Sequence, residues 1–175
     1  MKVRSLWCVA LGTLLLIGCG EDPEKAAFRQ QLIDKALNDE TRKAGDAYLT
    51  ENATQEGVIT LPSGLQYRIL VEGQGERPTM RDSVEVHYEG TRVDGYVFDS
   101  SYQRNKSSVF PLKSVIKGWQ EALIKMPVGS TWMLYLPAKL AYGATSPSVD
   151  IPANSTLIFK VELLNVMNEG EKNNG

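Results

Sequence analysis

The apolar positions of this chain change period twice. From Leu6 to Ile17 they form a nearly unbroken run. From Glu24 to about Asn52 they recur at helical intervals, through Phe28, Leu32, Ala36, Ala44, Ala47 and Tyr48. From Gly57 onward they alternate. Side chains three or four apart share a helix face and side chains two apart share a strand face, so each period implies a different local structure. The first run follows Lys2 and Arg4 and is too short for a comfortable membrane span, which is the pattern of an export signal. The second reads as helix. Asn38 to Lys43 is polar on every face and no proline interrupts the segment after Pro23, so one long, partly solvated helix and two short ones with a break fit equally well.

In the third region Gly64–Leu70 and Ser83–Glu89 alternate as half-buried strands do. Asp94-Gly95, set between Thr91-Arg92-Val93 and Tyr96-Val97-Phe98, is a hairpin turn signal. Thr131–Leu136 and Thr156–Val166 are two further apolar strands, separated by a long loop containing Pro147 and Pro152. One helical stretch breaks the alternation, VIKGWQEALIKM from Val115 to Met126, in which Trp119, Ala122, Leu123 and Met126 share a face. Gly118, a poor helix former, removes all side-chain bulk beside the indole. Connections are short and no crossover helices lie between the strands. The expected fold is therefore α+β, a mostly antiparallel sheet packed on one helix, in a domain of about 110 residues.

Composition narrows the function. At 175 residues, 42% hydrophobic and 23% charged, the chain fits one globular domain with extras. Its two cysteines are Cys8, inside the export signal, and Cys19. The residues Leu16-Ile17-Gly18-Cys19 resemble the lipobox of bacterial lipoproteins, which makes Cys19 the acylated first residue of the mature protein. No thiol then remains for a disulfide, a nucleophile or a thiolate zinc site. Without Lys2 and Arg4 the chain holds 17 basic against 21 acidic residues, a net of −4 with no basic run, so nucleic acid is not an expected partner. His87 is the only histidine. On its strand it points away from Val84, Val86 and Tyr88, toward the side of Glu85 and Glu89, which argues against a serine-hydrolase triad. The expected division is a signal peptide over 1–18, a tether and helical arm over 19–56, an α+β domain over 57–167 and a disordered tail over 168–175.

The motifs of the third region come in a telling order: Val86-His87-Tyr88, Phe98-Asp99-Ser100-Ser101, Arg104-Asn105, Val115-Ile116-Lys117-Gly118-Trp119, Ala141-Tyr142-Gly143 and Leu157-Ile158-Phe159. Together they resemble the FKBP-type peptidyl-prolyl cis-trans isomerases. The acylated start and helical arm, running into Gly57-Val58 and Ser63-Gly64-Leu65-Gln66-Tyr67, resemble the bacterial macrophage-infectivity-potentiator branch. The resemblance implies an antiparallel half-barrel wrapped on a central helix, and a proline pocket with Trp119 as its floor. Carried over by position, the catalytic residues are Tyr88, Phe98, Asp99, Trp119, Tyr142 and Phe159, and the substrate-binding residues are Val115, Ile116 and Ile151. It also implies that the Ile116 N–H and the Tyr142 hydroxyl bond carbonyls of a bound peptide or macrolide, and that Arg104 buttresses Asp99. Proline-containing polypeptides are then the substrates, macrolides such as rapamycin the inhibitors, and no metal or cofactor is required.

Two positions depart from the pattern. Ser108 falls where an aromatic residue commonly lines the pocket, and Pro147 replaces a loop histidine found in some members. Ser108 keeps a second reading open, a non-catalytic peptide-binding chaperone with an open cleft. The arm is either a spacer that lifts the domain off the membrane or a surface for a homodimer or another partner, since its apolar stripe is thin.

Overall fold

The computed structural model describes residues 22, 24–26, 28, 29, 32 and 39–167. Cys19, the export run before it, Ala36 of the arm and the 168–175 tail lie outside the described residues. The chain divides into two compact units at Ala36 and Leu37. Of the first, residues 24–26, 28, 29 and 32 are helical, with Phe28 and Leu32 exposed. No helix among the described residues is long and apolar enough to cross a membrane.

The second unit opens with helix α1, Glu40–Asn52. Asp39 has extended backbone and one of its carboxylate oxygens accepts the N–H groups of Thr41 (2.9 Å) and Arg42 (3.2 Å). The polar stretch around Asn38 therefore contains a helix start, because an aspartate there satisfies donors that the first turn cannot pair internally. Among the described residues, α1 thus has its own start at Asp39.

Seven strands follow: β1 (Val58–Thr60), β2 (Gln66–Val71), β3 (Ser83–Arg92), β4 (Val97–Ser100), β5 (Ser108–Pro111), β6 (Thr131–Leu136) and β7 (Leu157–Met167). All pairings are antiparallel, in the order β1-β2-β6-β7-β3-β4, with β5 also on β3. The ten-residue β3 pairs with β7 along its whole length. Its other edge is shared, Ser83–Val86 with β5 and Glu89–Thr91 with β4. The turn between β3 and β4 holds Gly95 at φ 84°, a left-handed conformation that suits glycine, as the Asp94-Gly95 signal predicts.

Helix α2 (Lys117–Leu123) lies between β5 and β6 in the chain. Its Trp119, Ala122 and Leu123, with Met126 just beyond, join one core with Val84, Val86 and Tyr88 of β3, Leu134 and Leu136 of β6, and Phe159, Val161 and Leu163 of β7. Alternation sends Tyr135 and Ile158 to the other face of the sheet, where they meet Leu49 of α1. The sheet is thus covered by α2 on one face and by α1 on the other. The reason for Gly118 is now visible. A Cβ there would lie 2.5 Å from Cγ and Cδ2 of Leu136, so only glycine lets α2 approach β6 this closely.

Candidate active site

A cavity of about 310 Å³ opens at one end of the main core. Each wall comes from a different element: Tyr88 from β3, Phe98 and Asp99 from β4, Phe110 from β5, Trp119 from α2 and Phe159 from β7. Ser114, Val115 and Ile116 from the segment before α2, and Tyr142 from the loop before β7, complete the rim.

Edge-to-face packing organises the aromatic rings. Trp119 meets Tyr88 at 5.3 Å and 84°, Phe159 at 5.3 Å and 82°, and Phe110 at 5.9 Å and 85° between ring centroids and planes. Phe98 meets Phe159 at 5.7 Å and 86°. This geometry sets the positive edge of one ring against the negative face of another. The Trp119 indole N–H is buried and meets no acceptor among the described residues, so the base of the cavity presents a donor without a partner there.

The polar side of the cavity is a three-residue network. The Tyr88 hydroxyl donates to one oxygen of Asp99, the other oxygen of Asp99 pairs with Arg104, and Arg104 also donates to the Tyr88 hydroxyl at 3.1 Å. Burial, and then the bond to Asp99, push the Tyr88 phenol above its ordinary pKa. Burial, followed by the charge of Asp99, does the same for Tyr142. Both hydroxyls therefore remain protonated donors at neutral pH. Arg104 is exposed and the Asp99 carboxylate only half-buried, so their pairing is a solvated buttress. We expect Asp99→Leu to lower kcat/KM for a prolyl peptide by no more than about tenfold, roughly 1.4 kcal/mol of barrier. A loss of several orders of magnitude in a folded variant would show that the carboxylate does more than hold Tyr88.

The carbonyl of Ile116 accepts the N–H groups of Trp119 (3.0 Å) and Gln120 (3.1 Å). Ile116 itself precedes the helix and lines the cavity. His87 projects from the opposite side of β3, with Nδ1 2.9 Å from Ser101 Oγ and its ring stacked on Tyr102. Ile151 is buried in the main core and does not line the cavity.

Phe110 and Ser114 are the lining residues that sequence reasoning missed. Ser108 and Phe110 lie two apart on β5, so they face the same way, and the ring absent at one position is supplied by the other. The larger cleft of the molecule, about 710 Å³ between α1 and the segments around Ala138 and Asn154, has no aromatic side chain in its lining. Aromatic content and convergent donors therefore favour the smaller cavity as the site.

A family model described as FKBP-type peptidyl-prolyl cis-trans isomerase matches residues 74–164, and one described as the domain amino terminal to it matches residues 22–69. The chain belongs to the FKBP-type isomerase family. Among FKBP relatives, the peptidyl-prolyl cis-trans isomerase Mip of Coxiella burnetii is 53% identical over 120 residues, covering 69% of this chain and 52% of that protein. The outer membrane protein MIP of Legionella longbeachae is 48% identical over 145 residues, covering 79% of this chain and 62% of that protein. This chain thus spans between half and two thirds of the length of these FKBP proteins. The crystal structure of the FKBP protein FkpA from Escherichia coli aligns with a TM-score of 0.72 at 39% identity, over 83% of this chain and 66% of that one.

Proposed function

We propose that this chain is a lipid-anchored peptidyl-prolyl cis-trans isomerase that accelerates rotation about Xaa-Pro bonds in exported proteins. The observation that carries the proposal is the aromatic cavity with protonated hydroxyl and backbone donors at its rim. Rotation about a peptide bond faces a barrier of about 18–20 kcal/mol, because resonance gives the C–N bond double-bond character. Proline narrows the gap between cis and trans but leaves exchange slow. A twisted amide has lost resonance and with it part of its charge separation. An apolar, water-poor cavity therefore disfavours the planar amide relative to the twisted one, and binding that fits only the twisted form lowers the barrier further. No proton transfer, nucleophile, metal or cofactor enters this scheme.

In this reading Tyr88, Phe98, Trp119 and Phe159 shape the proline site, with Phe110 beside them. Asp99 and Arg104 hold Tyr88, and the Ile116 N–H and Tyr142 hydroxyl bind carbonyls flanking the proline. Val115 contributes to the rim, and Ile151 supports the loop from within the core. A macrolide such as rapamycin competes for the same cavity. The test is the cis-to-trans exchange rate of a leucyl-prolyl peptide, measured by NMR with the purified 20–175 chain. Acceleration blocked by rapamycin is expected. A folded chain that binds the peptide without accelerating exchange would overturn the proposal in favour of a binding module.

The division into signal peptide (1–18), tether and arm (19–56), isomerase domain (57–167) and tail (168–175) is part of the same proposal. Acylation at Cys19 places the domain in the bacterial envelope, a location supported by the name of the Legionella relative. Palmitate incorporation in cells that disappears in Cys19→Ser is the expected result, and label retained by that variant would refute the anchor. Exposed Phe28 and Leu32 give the arm an apolar stripe that a homodimer would cover. A monomeric full-length chain in sedimentation would remove that role.

A further inference from the structure

The segment that brings Tyr142 to the rim leaves β6 at Pro137 and returns to β7 at Leu157. Gly143 fastens it at both ends. Its N–H donates to the Ala138 carbonyl at 2.8 Å, and its carbonyl accepts the Asn154 N–H at 2.7 Å. Asn154 has φ 61°, a left-handed conformation that asparagine tolerates better than most residues. Its side-chain amide reaches across to α1, where Nδ2 donates to Oδ2 of Asp39 at 2.6 Å. The other oxygen of Asp39 caps the helix through Thr41 and Arg42. One carboxylate therefore starts α1 and also holds the return of the Tyr142 loop. Two residues further on, α1 and this return are in close contact, because a Cβ on Gly45 would lie 2.4 Å from Thr156 Oγ1.

Gly143 and Asn154 line the 710 Å³ cleft beside α1, while the neighbouring Tyr142 lines the aromatic cavity. A shift of this short stretch is therefore felt on both sides. Residues 144–149 are all exposed, so little packing holds the stretch that follows Gly143. We propose that Asp39 and Asn154 form a positioning pair. Docking of α1 through their hydrogen bond sets the Tyr142 hydroxyl at the rim, so the arm tunes peptide affinity without touching the peptide. For its kinetic readout this inference rests on the isomerase reading above.

Three variants test it. Asp39→Ser keeps a good helix cap but has a single oxygen and none to spare for Asn154. Asn154→Gly keeps the left-handed backbone and deletes the amide. Asp39→Asn caps equally well and can still bond Asn154 once that amide turns over, so it serves as the conservative control. The readouts are kcat and KM for the leucyl-prolyl peptide, the amide NMR signals of Tyr142 and Gly143, and the thermal unfolding midpoint. Asp39→Ser and Asn154→Gly should each raise KM by about three- to tenfold, the scale of one hydrogen bond, with kcat nearly unchanged. Both should also move the Tyr142 and Gly143 signals, and Asp39→Asn should do neither. The inference is overturned if the two disruptive variants lower the unfolding midpoint but leave KM and both amide signals native, or if Asp39→Asn is as damaging as Asp39→Ser. If the native chain accelerates no exchange, the isomerase reading fails separately. The amide signals and the peptide dissociation constant then decide the pairing by the same comparison.

Discussion

Trp119→Ala is expected to remove isomerase activity almost completely, lowering kcat/KM by about a hundredfold or more, equivalent to roughly 2.7 kcal/mol of barrier. The indole is 4% exposed and forms edge-to-face contacts with Tyr88, Phe110 and Phe159. Its truncation opens a void beneath the cavity and releases three rings at once. Large-to-small changes of this type cost about 3–5 kcal/mol. Since domains are commonly stable by about 5–15 kcal/mol, the variant should remain folded in the cold. Activity must therefore be measured at a temperature where circular dichroism still reports native structure. Trp119→Phe, which restores part of the floor, should recover part of the rate. A folded Trp119→Ala chain with native kcat/KM would remove this cavity from consideration as the site.

Gly90→Ala should impair the site nearly as severely by adding a single methyl group. Gly90 lies on β3, paired with Asp99 of β4 and with Phe159 of β7. A Cβ there would stand 2.6 Å from Cζ of Phe98 and 2.8 Å from Cε1 of Phe159, closer than carbon atoms can approach. The backbone is held in the sheet on both sides, so the rings must yield, and the open space beside them is the cavity. Overpacking of this kind costs about 1–3 kcal/mol of stability. KM for a prolyl peptide should rise by more than about tenfold, which corresponds to roughly 1.4 kcal/mol of binding. Peptide titration followed by tryptophan fluorescence in a Trp132→Phe background provides the check, and native affinity would mean that the rings relax away from the site instead.

Much of this architecture is legible in the sequence because it depends on local rules. Alternation gives β2 and β3, apolar runs give β6 and β7, the Asp94-Gly95 pair gives the hairpin, and the spacing of Trp119, Leu123 and Met126 gives α2. Ordered motifs give the family, and with it most of the residues that line the cavity. What escapes the sequence depends on contacts between distant segments. Phe110 is overlooked because Ser108 draws attention to a missing ring, although both share a face of the four-residue strand β5. Gly118 is explained only by Leu136, which belongs to another element. Ile151 enters the core because its loop folds back, which no periodicity signals. The hydrogen bond between Asp39 and Asn154 joins positions 115 residues apart, and neither residue type is unusual where it stands.

The place of β7 has a consequence for how the molecule forms. It is the last strand among the described residues, yet it lies in the middle of the sheet, with β6 on one side and β3 on the other. Until it arrives, β1, β2 and β6 form one ribbon and β3, β4 and β5 another, with no backbone pairing between them. Its longest pairing, with β3, joins residues as distant as Ser83 and Met167. Contacts this remote in sequence are slow to close. The sheet therefore cannot be completed until nearly all of the described residues have left the ribosome, and up to that point its two halves lack the strand that joins them.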